Sequence, residues 1–431
     1  MLADIAPDAN AARPERSPGF GKSAGQRAGR AVAPEGDPSP SLDRISSLDR
    51  DSPQAGDPPR EPTIGARDRA IDVLRGLCIV SMTTAHLAAG SWPWHVFHVA
   101  VLVDGAVGFV LLSGVVLGMS QRRTIERAGL RAGQRRLLRR AGLIYLANLG
   151  LCLVALGVVA RDPVRTAEIF RVDSLDGPLP VAVAALMLQL NPHYTSILSL
   201  YVVLLLLSIG VVAALACRQV QVVFACSFAL YVAGYLWPSL FTFPVYPGIA
   251  GAVNWATWQP LFLAGLLTGW FWQAPLLRAA LASRALLVSC AAFVLATGTL
   301  GWVLTHGSAP WKSVVVQAFT EGKLAPGTIV MGLAAVFVGY RACSFLVTIT
   351  YPILSPVARI GRHSLDCYVI LSVVVLVLPG LYRYSPTGMV AVGVTLAILV
   401  VMFGWSHLRD RLAQRPNALP SRSTRRGAER R

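Results

Sequence analysis

The sequence predicts an all-α protein, a polytopic membrane helix bundle of about ten transmembrane helices with a disordered N-terminal tail. Composition is the first reason: of 431 residues, 54% are hydrophobic and only 14% are charged, against about a quarter charged in a typical soluble domain. Length is the second, because the hydrophobic residues form repeated runs of about 20, enough to cross a bilayer as a helix. Together these observations exclude an ordinary soluble enzyme.

Three regions follow from the distribution of these runs. Residues 1–69 contain ten prolines and few large apolar side chains, so they are predicted to form a disordered cytoplasmic tail. Residues 70–408 form the membrane domain, and residues 409–431 form a basic, disordered cytoplasmic tail. The predicted spans are 70–90, 96–119, 137–159, 194–216, 220–240, 256–273, 285–305, 327–349, 363–382 and 386–407. The apolar segment 179–190 is too short to cross and is assigned to the outer interface.

The arginines predict the orientation of the bundle. Between Arg122 and Arg140, after the second span, eight arginines accompany a single acidic residue, and the C-terminal tail holds eight more. Short loops rich in Lys and Arg stay in the cytoplasm, so both termini are predicted to be cytoplasmic. Because the net charge of +17 is concentrated beside apolar runs, we expect a lipid bilayer as partner and no nucleic acid.

Charged side chains inside the first span are the strongest functional signal. Charges within a span are costly and default to functional candidates, and this span carries Asp72, Arg75 and His86. At 100° per residue, Arg75 and His86 differ by about 20°, and Asp72 lies about 40° from His86, so all three share one face. The rise of about 16 Å places Arg75 near the cytoplasmic end and His86 nearer the outer leaflet. The structural alternative is a local Asp72–Arg75 ion pair with a hydrogen-bonded core histidine.

Polar residues in other spans are weaker candidates. Asp104 lies in the second span, Trp258 and Gln259 open the sixth, and Arg362 and Ser364 open the ninth. Each has a structural alternative: a charge at a helix N-terminus, an interfacial tryptophan with a polar neighbour, or a cytoplasmic anchor with a capping serine. The seven cysteines are odd in number and lack metal-type spacing, so we interpret them as packing thiols and expect no metal site.

Five segments resemble a known family. Residues 67–76, RDRAIDVLRG, followed by His86, resemble the D-x-L-R-G…H opening of the acyltransferase-3 superfamily of membrane acyltransferases. Within that superfamily the chain is most similar to the OpgC family, which modifies periplasmic glucans with succinyl groups. The other segments are DGAVGFVLLSG at 104–114, ILSLYV at 197–202, WATWQPLF at 255–262 and IGRHSL at 360–365.

The resemblance implies a multi-pass enzyme of the bacterial inner membrane. It would move an acyl group, such as succinyl, from cytoplasmic acyl-CoA to a hydroxyl of a periplasmic or cell-envelope glycan. Acyl-CoA would be a co-substrate, with no tightly bound cofactor. The expected catalytic residues are Arg75, which holds acidic parts of the donor, His86 as the base, and Asp72 and Asp104 as orienting groups. The expected substrate-binding residues are Ser113, Trp258, Gln259, Arg362 and Ser364.

Two departures from the family pattern bear on substrate identity. Val107 stands where the family has an acidic residue, and 327–332 replaces an expected arginine and histidine. The sequence also leaves an alternative function open: a transporter or flippase of a glycan or lipid, with Asp72, Arg75 and His86 as a relay. An internal inverted repeat would favour that alternative. A purely structural membrane subunit is disfavoured by the charged face.

Overall fold

The computed structural model describes residues 68–97, 104–170, 174–192, 195–243, 253–306, 324–378 and 388–414. Within these ranges the chain is helical, without a β-strand and with one isolated bridge between Thr242 and Asn254. The α-helices are α1 (Arg69–Leu87), α2 (Trp92–Phe97), α3 (Gly105–Ala128), α4 (Leu130–Arg161), α5 (Thr166–Phe170), α6 (Pro178–Leu186), α7 (Ser196–Ala216), α8 (Val220–Leu236), α9 (Pro238–Phe241), α10 (Trp255–Trp270), α11 (Pro275–Ala282), α12 (Arg284–His306), α13 (Pro326–Arg362), α14 (Ser364–Val377) and α15 (Met389–Gln414). The predicted all-α class is confirmed.

The lengths of these helices are those of a membrane protein. Among the described residues, seven helices are long and apolar enough to cross a bilayer: α1, α3, α4, α7, α12, α13 and α15. An eighth span is gained if α10 and α11, which meet at 110°, form one broken span. The apolar helices α8 and α14 are shorter, with 17 and 14 residues. Each of the ten predicted spans therefore contains an apolar helix, although α8, α10 and α14 fall short of the usual length of about 20 residues.

The arginine-rich segment after the second predicted span is helical, which corrects the expectation of a loop. α3 occupies the second predicted span, 96–119, from Gly105 onward and extends beyond it to Ala128. α4 covers the third predicted span, 137–159, and begins earlier, at Leu130. Arginine and glutamine are good helix formers and no proline interrupts this stretch, so both helices extend past their apolar parts. The break between them falls at Gly129, whose φ of 82° is a backbone conformation that glycine adopts readily.

The eighth predicted span and the C-terminal tail are also longer helices than expected. α13 runs to Arg362 with a kink at Thr350, close to the two prolines Pro352 and Pro356. α15 continues to Gln414, so the predicted disordered tail 409–431 begins with ordered helix. In this part of α15, Arg409 forms an ion pair with Asp366, with an N–O distance of 2.8 Å. The rest of that tail and residues 1–67 lie outside the described residues.

Polar N-cap side chains fix the start of three helices. The carboxylate of Asp68 accepts hydrogen bonds from two backbone N–H groups of α1, and Asp104 does the same for α3. Asn254 caps α10 in the same way. A side-chain oxygen at this position satisfies backbone N–H groups that lack a partner within the helix. The predicted interfacial segment 179–190 is the nine-residue helix α6, which begins with Pro178.

Glycines bring α3 and α10 into backbone contact. A Cβ atom added at Gly114 would collide with the carbonyl oxygen of Phe262, and one added at Gly265 with that of Leu111. Gly118 and Gly269 are the corresponding glycines one turn further along, and they face the other helix in the same way. The two G-x-x-x-G patterns therefore run side by side in the same direction, as expected where small residues let membrane helices approach closely.

Helices α1 and α3 form the centre of the bundle. In the most apolar stretch of α1, 83% of the residues are buried, and in that of α3, 78% are buried. In the corresponding stretch of α12, only 11% of the residues are buried. Close contacts at Gly76 and Gly361 pack α1 against the last turns of α13. Asp72 and Arg75 on the charged face of α1 are therefore enclosed by protein, whereas His86 is partly buried.

Candidate active site

The guanidinium of Arg75 is buried where α1 meets α14. The side chain is 6% exposed, and its Nη2 donates a hydrogen bond of 2.6 Å to Oγ of Ser364. The guanidinium carbon lies 5.8 Å from the centre of the Phe109 ring on α3. The close approach of Gly361 to the backbone of α1 brings the following residues of α14 within reach. The structure thus joins two residues that the sequence analysis had selected separately.

A small polar cavity surrounds this guanidinium. Five helices contribute to it: α1, α3, α4, α7 and α14. Its volume is about 20 Å³, room for about one water molecule. Its polar lining residues are Arg75, Ser113, Arg140, Tyr201, Ser364 and Tyr368. Any substrate group that binds here has to widen the cavity.

The lining of the cavity suits an anionic group. It contains two guanidinium groups, from Arg75 and Arg140, and none of the described residues that line it is acidic. Guanidinium groups bind carboxylate and phosphate oxygens through paired hydrogen bonds. The hydroxyl of Tyr201 donates a 3.2 Å hydrogen bond to the carbonyl oxygen of Phe109, which holds α7 against α3. The ring of Phe109 also stacks on Tyr368, with a centroid distance of 6.5 Å.

The other two members of the charged face lie on α1 at different depths. Asp72 is 5% exposed, and its backbone carbonyl contacts Gly361. His86 lies in the last turn of α1, is partly buried, and does not line the cavity around Arg75. Eleven residues separate His86 from Arg75, which is about 16 Å along a helix axis. Arg75 and His86 therefore lie on the same side of α1, but the structure does not bring them into one cavity.

Asp104 marks the start of α3. It is the N-cap of that helix, and its Oδ1 accepts hydrogen bonds of 2.8 and 3.1 Å from the N–H groups of Ala106 and Val107. The next residue, Gly105, packs against Ser81 in the second half of α1. Asp104 is therefore a charge at a helix N-terminus, as its structural alternative supposes, at the level of Ser81.

Two candidates on α10 lie outside the cavity. Gln259 is 5% exposed, and both ends of its amide bind Ser227 of α8: Oε1 accepts from the hydroxyl at 3.0 Å, and Nε2 donates to the carbonyl oxygen at 2.8 Å. This pair of hydrogen bonds ties α10 to α8. Trp258 is 6% exposed, and its Nε1 has no hydrogen-bond partner within the described ranges.

Arg362 belongs to a polar network at the end of the bundle where α1 begins. It lies 3.2 Å from a carboxylate oxygen of Asp410, and the other oxygen of that carboxylate is 2.9 Å from Nε2 of His363. These contacts hold α15 against the junction of α13 and α14. Arg362 is not among the residues that line the cavity, so its predicted substrate role receives no support from its position.

Among the lining residues of the cavity that were not predicted from the sequence, four have aromatic or charged side chains: Phe109, Arg140, Tyr201 and Tyr368. Phe109 and Tyr201 stood inside segments that resemble the family but were not singled out. Arg140 was counted with the arginines that set the orientation. The sequence feature that could have marked Arg140 as buried is its position beside Leu137, Ala141 and Ile144, which form the buried stripe of α4. Tyr368 had no comparable signal.

No group of three or more His, Cys, Asp and Glu side chains in the described part of the chain could hold a metal ion. The site that does stand out is the cavity around Arg75, which is formed by residues from four of the five segments quoted above.

Comparison with known proteins gives a family for this arrangement. Residues 67–414 match the family model described as OpgC protein, a range that includes every helix described above. No curated protein and no solved structure matches the chain. Because the matched range covers most of the sequence, the chain belongs to the OpgC protein family.

Proposed function

We propose that this protein is a membrane O-acyltransferase that moves an acyl group, such as succinyl, from acyl-CoA to a hydroxyl of a periplasmic or cell-envelope glycan. Membership in the OpgC family suggests a glucan-modifying acyltransferase. The observation that carries the proposal is the buried Arg75 guanidinium, hydrogen-bonded to Ser364 and accompanied by Arg140 in a cavity inside the helix bundle. A buried cation is costly and is retained in a membrane protein where it has a function.

The two arginines would hold acidic parts of the donor. Acyl-CoA carries phosphates, which can pair with the guanidinium groups of Arg75 and Arg140. Arg75 is six residues from the start of α1, about 9 Å along the helix. The cavity is thus reached most directly from the end where α1 begins.

His86 would act as the base at the other end of the same helix. It would take the proton from the attacking glycan hydroxyl while that oxygen forms a bond to the thioester carbonyl carbon. The carbon–sulfur bond then breaks, and the proton passes to the thiolate of the departing CoA. A donor held at Arg75 reaches His86 if its pantetheine arm lies extended along α1, since the two groups are about 16 Å apart along the helix.

The proposed orientation places the Arg69 end of α1 and both chain termini in the cytoplasm of a bacterial inner membrane. Arg362 and Arg409 lie near this end, where they pair with Asp410 and Asp366. Arg122, in the extension of α3, donates a 2.8 Å hydrogen bond to the carbonyl oxygen of Trp270, the last residue of α10. A concentration of arginines at one end of a bundle is typical of its cytoplasmic side.

We also propose that the protein belongs to the wider acyltransferase-3 superfamily.

The test is acyl transfer by the purified full-length protein in lipid nanodiscs. Isotope-labelled succinyl-CoA and acetyl-CoA are supplied with gluco-oligosaccharides, and mass spectrometry detects the ester. The same protein in liposomes reports whether an unmodified oligosaccharide crosses the membrane, as a transporter would require. Transfer without transport supports the proposal, whereas transport without transfer contradicts it. The His86→Ala variant should still insert into the membrane but should not transfer the acyl group. If it retained transfer, His86 would not be the catalytic base.

A further inference from the structure

Among the residues that the structure describes, two buried polar groups near the starts of their helices find no hydrogen-bond partner. They are Nε1 of Trp258 on α10 and Oγ1 of Thr328 on α13. Trp258 is 6% exposed and Thr328 is 0% exposed. An unsatisfied buried polar group costs free energy, and buried polar groups in native proteins almost always have partners. A ligand that supplies the missing partners recovers that cost.

The packing of three helices brings the starts of α10 and α13 to the same level of the bundle. A Cβ atom added at Gly332 of α13 would touch the side chains of Val107 on α3 and Leu261 on α10, so the three helices meet there. Further along, the ring of Tyr340 on α13 contacts Trp272, just after α10, with a centroid distance of 5.7 Å. α13 therefore runs in the same direction as α10, which itself runs alongside α3.

One helical turn before this meeting point, each helix carries a polar side chain: Asp104 on α3, Trp258 on α10 and Thr328 on α13. We call these three residues the junction layer. Since Gly105 packs against Ser81 of α1, the junction layer is level with Ser81. The family resemblance predicts Trp258 as a substrate-binding residue and Asp104 as an orienting group, whereas the segment that contains Thr328 is a departure from the family pattern.

The junction layer lies between the two ends of the proposed reaction path. Ser81 is six residues after Arg75 and five before His86, so the layer is about 9 Å from Arg75 and about 8 Å from His86 along α1. We infer that the junction layer binds the sugar ring of the acceptor, with Trp258 and Thr328 as hydrogen-bonding residues. This inference rests on the proposed function, because it places the acceptor between the proposed donor site at Arg75 and the proposed base.

The chemistry of the layer favours an uncharged sugar. The indole N–H of Trp258 donates a hydrogen bond and the hydroxyl of Thr328 can donate or accept one, which matches the hydroxyls of a sugar ring. The apolar face of the indole suits the C–H face of that ring. The carboxylate of Asp104 repels an anionic acceptor. A neutral gluco-oligosaccharide is therefore preferred over one that already carries an acidic group.

The inference is tested by oligosaccharide binding in the absence of a donor. Purified full-length protein in detergent micelles is dialysed to equilibrium against radiolabelled linear gluco-oligosaccharide. Thr328→Val removes one neutral hydrogen-bonding group and keeps the shape, so it should weaken binding by about 3- to 12-fold. Trp258→Phe removes the indole N–H and also shrinks the aromatic face, so it should weaken binding by at least as much. Thr328→Ser retains the hydroxyl and should bind like the unmodified protein.

Matched controls separate this inference from the proposed function. Thr395→Val removes a buried hydroxyl that already bonds to the carbonyl oxygen of Ala391 on its own helix, so binding should not change. Where transfer is observed, the junction-layer variants should raise the KM for oligosaccharide and leave the KM for acyl-CoA unchanged. Oligosaccharide binding without transfer would contradict the proposed function alone. Unmodified protein that binds no oligosaccharide, or Thr328→Val and Trp258→Phe variants that bind it normally, would overturn the inference.

Discussion

The Ser364→Ala variant tests the contribution of the contact that positions Arg75. The hydroxyl of Ser364 is 1% exposed and accepts a 2.6 Å hydrogen bond from the guanidinium. A hydrogen bond to a charged group contributes about 1.5–3 kcal/mol, so the proposed transfer reaction should lose roughly 10- to 150-fold in kcat/KM. The free energy of unfolding should fall by a similar amount, because a buried cation loses a partner. Transfer kinetics and unfolding in mixed detergent micelles measure the two effects.

The control is another buried serine on the same helix. Ser372 is 2% exposed, and its hydroxyl bonds to the carbonyl oxygen of Tyr368 one turn earlier. Ser372→Ala removes only a neutral hydrogen bond within one helix, which contributes about 1 kcal/mol or less. A double-mutant cycle of Ser364→Ala with Arg75→Lys should give a coupling energy of about 1.5–3 kcal/mol. If Ser364→Ala behaves like Ser372→Ala in both assays, the reasoning about Arg75 is wrong.

Two further predictions concern the bundle. Gly265→Leu forces a side chain into the backbone of α3 and should lower the free energy of unfolding by about 3 kcal/mol or more. Gly210→Leu is the control, because Gly210 has open space around it, and it should not lower the free energy of unfolding. If the two variants gave equal unfolding curves, the close packing of α3 and α10 would be contradicted. Asp410→Asn weakens the contacts of Asp410 with Arg362 and His363, which are partly exposed and contribute about 1 kcal/mol or less each. Limited proteolysis within α15 should become faster, and an unchanged rate would remove these contacts from the docking of α15.

The fold could be predicted from the sequence where hydrophobic runs are long. Every predicted span contains an apolar helix, because runs of that length and composition are stable only as helices in a bilayer. The ends of the helices were less predictable. α3 continues through its arginines to Ala128, since a helix ends where its capping geometry ends and not where hydrophobicity does. The broken pair α10 and α11 had no signal in hydropathy.

The site was predicted in part, and the limit was helix packing. Arg75 was found because a charge inside a span is rare, and Ser364 was found as a polar residue at the start of a span and again through the family resemblance. Their contact joins residues 289 positions apart, which no local pattern reveals. Arg140 was passed over because its neighbours in sequence are also arginines. Thr328 was passed over because a threonine inside a span carries no charge, and only its burial without a partner marks it.

The central claim is that the buried cation on α1 serves acyl transfer. Its most direct measurement is the rate of ester formation from labelled succinyl-CoA and gluco-oligosaccharide by the unmodified protein and by its Arg75→Lys variant. Lysine keeps the charge but cannot form paired hydrogen bonds, so the variant should insert normally and transfer at least about tenfold more slowly. Transfer at the unmodified rate, or no ester from the unmodified protein with either acyl-CoA, would contradict the claim.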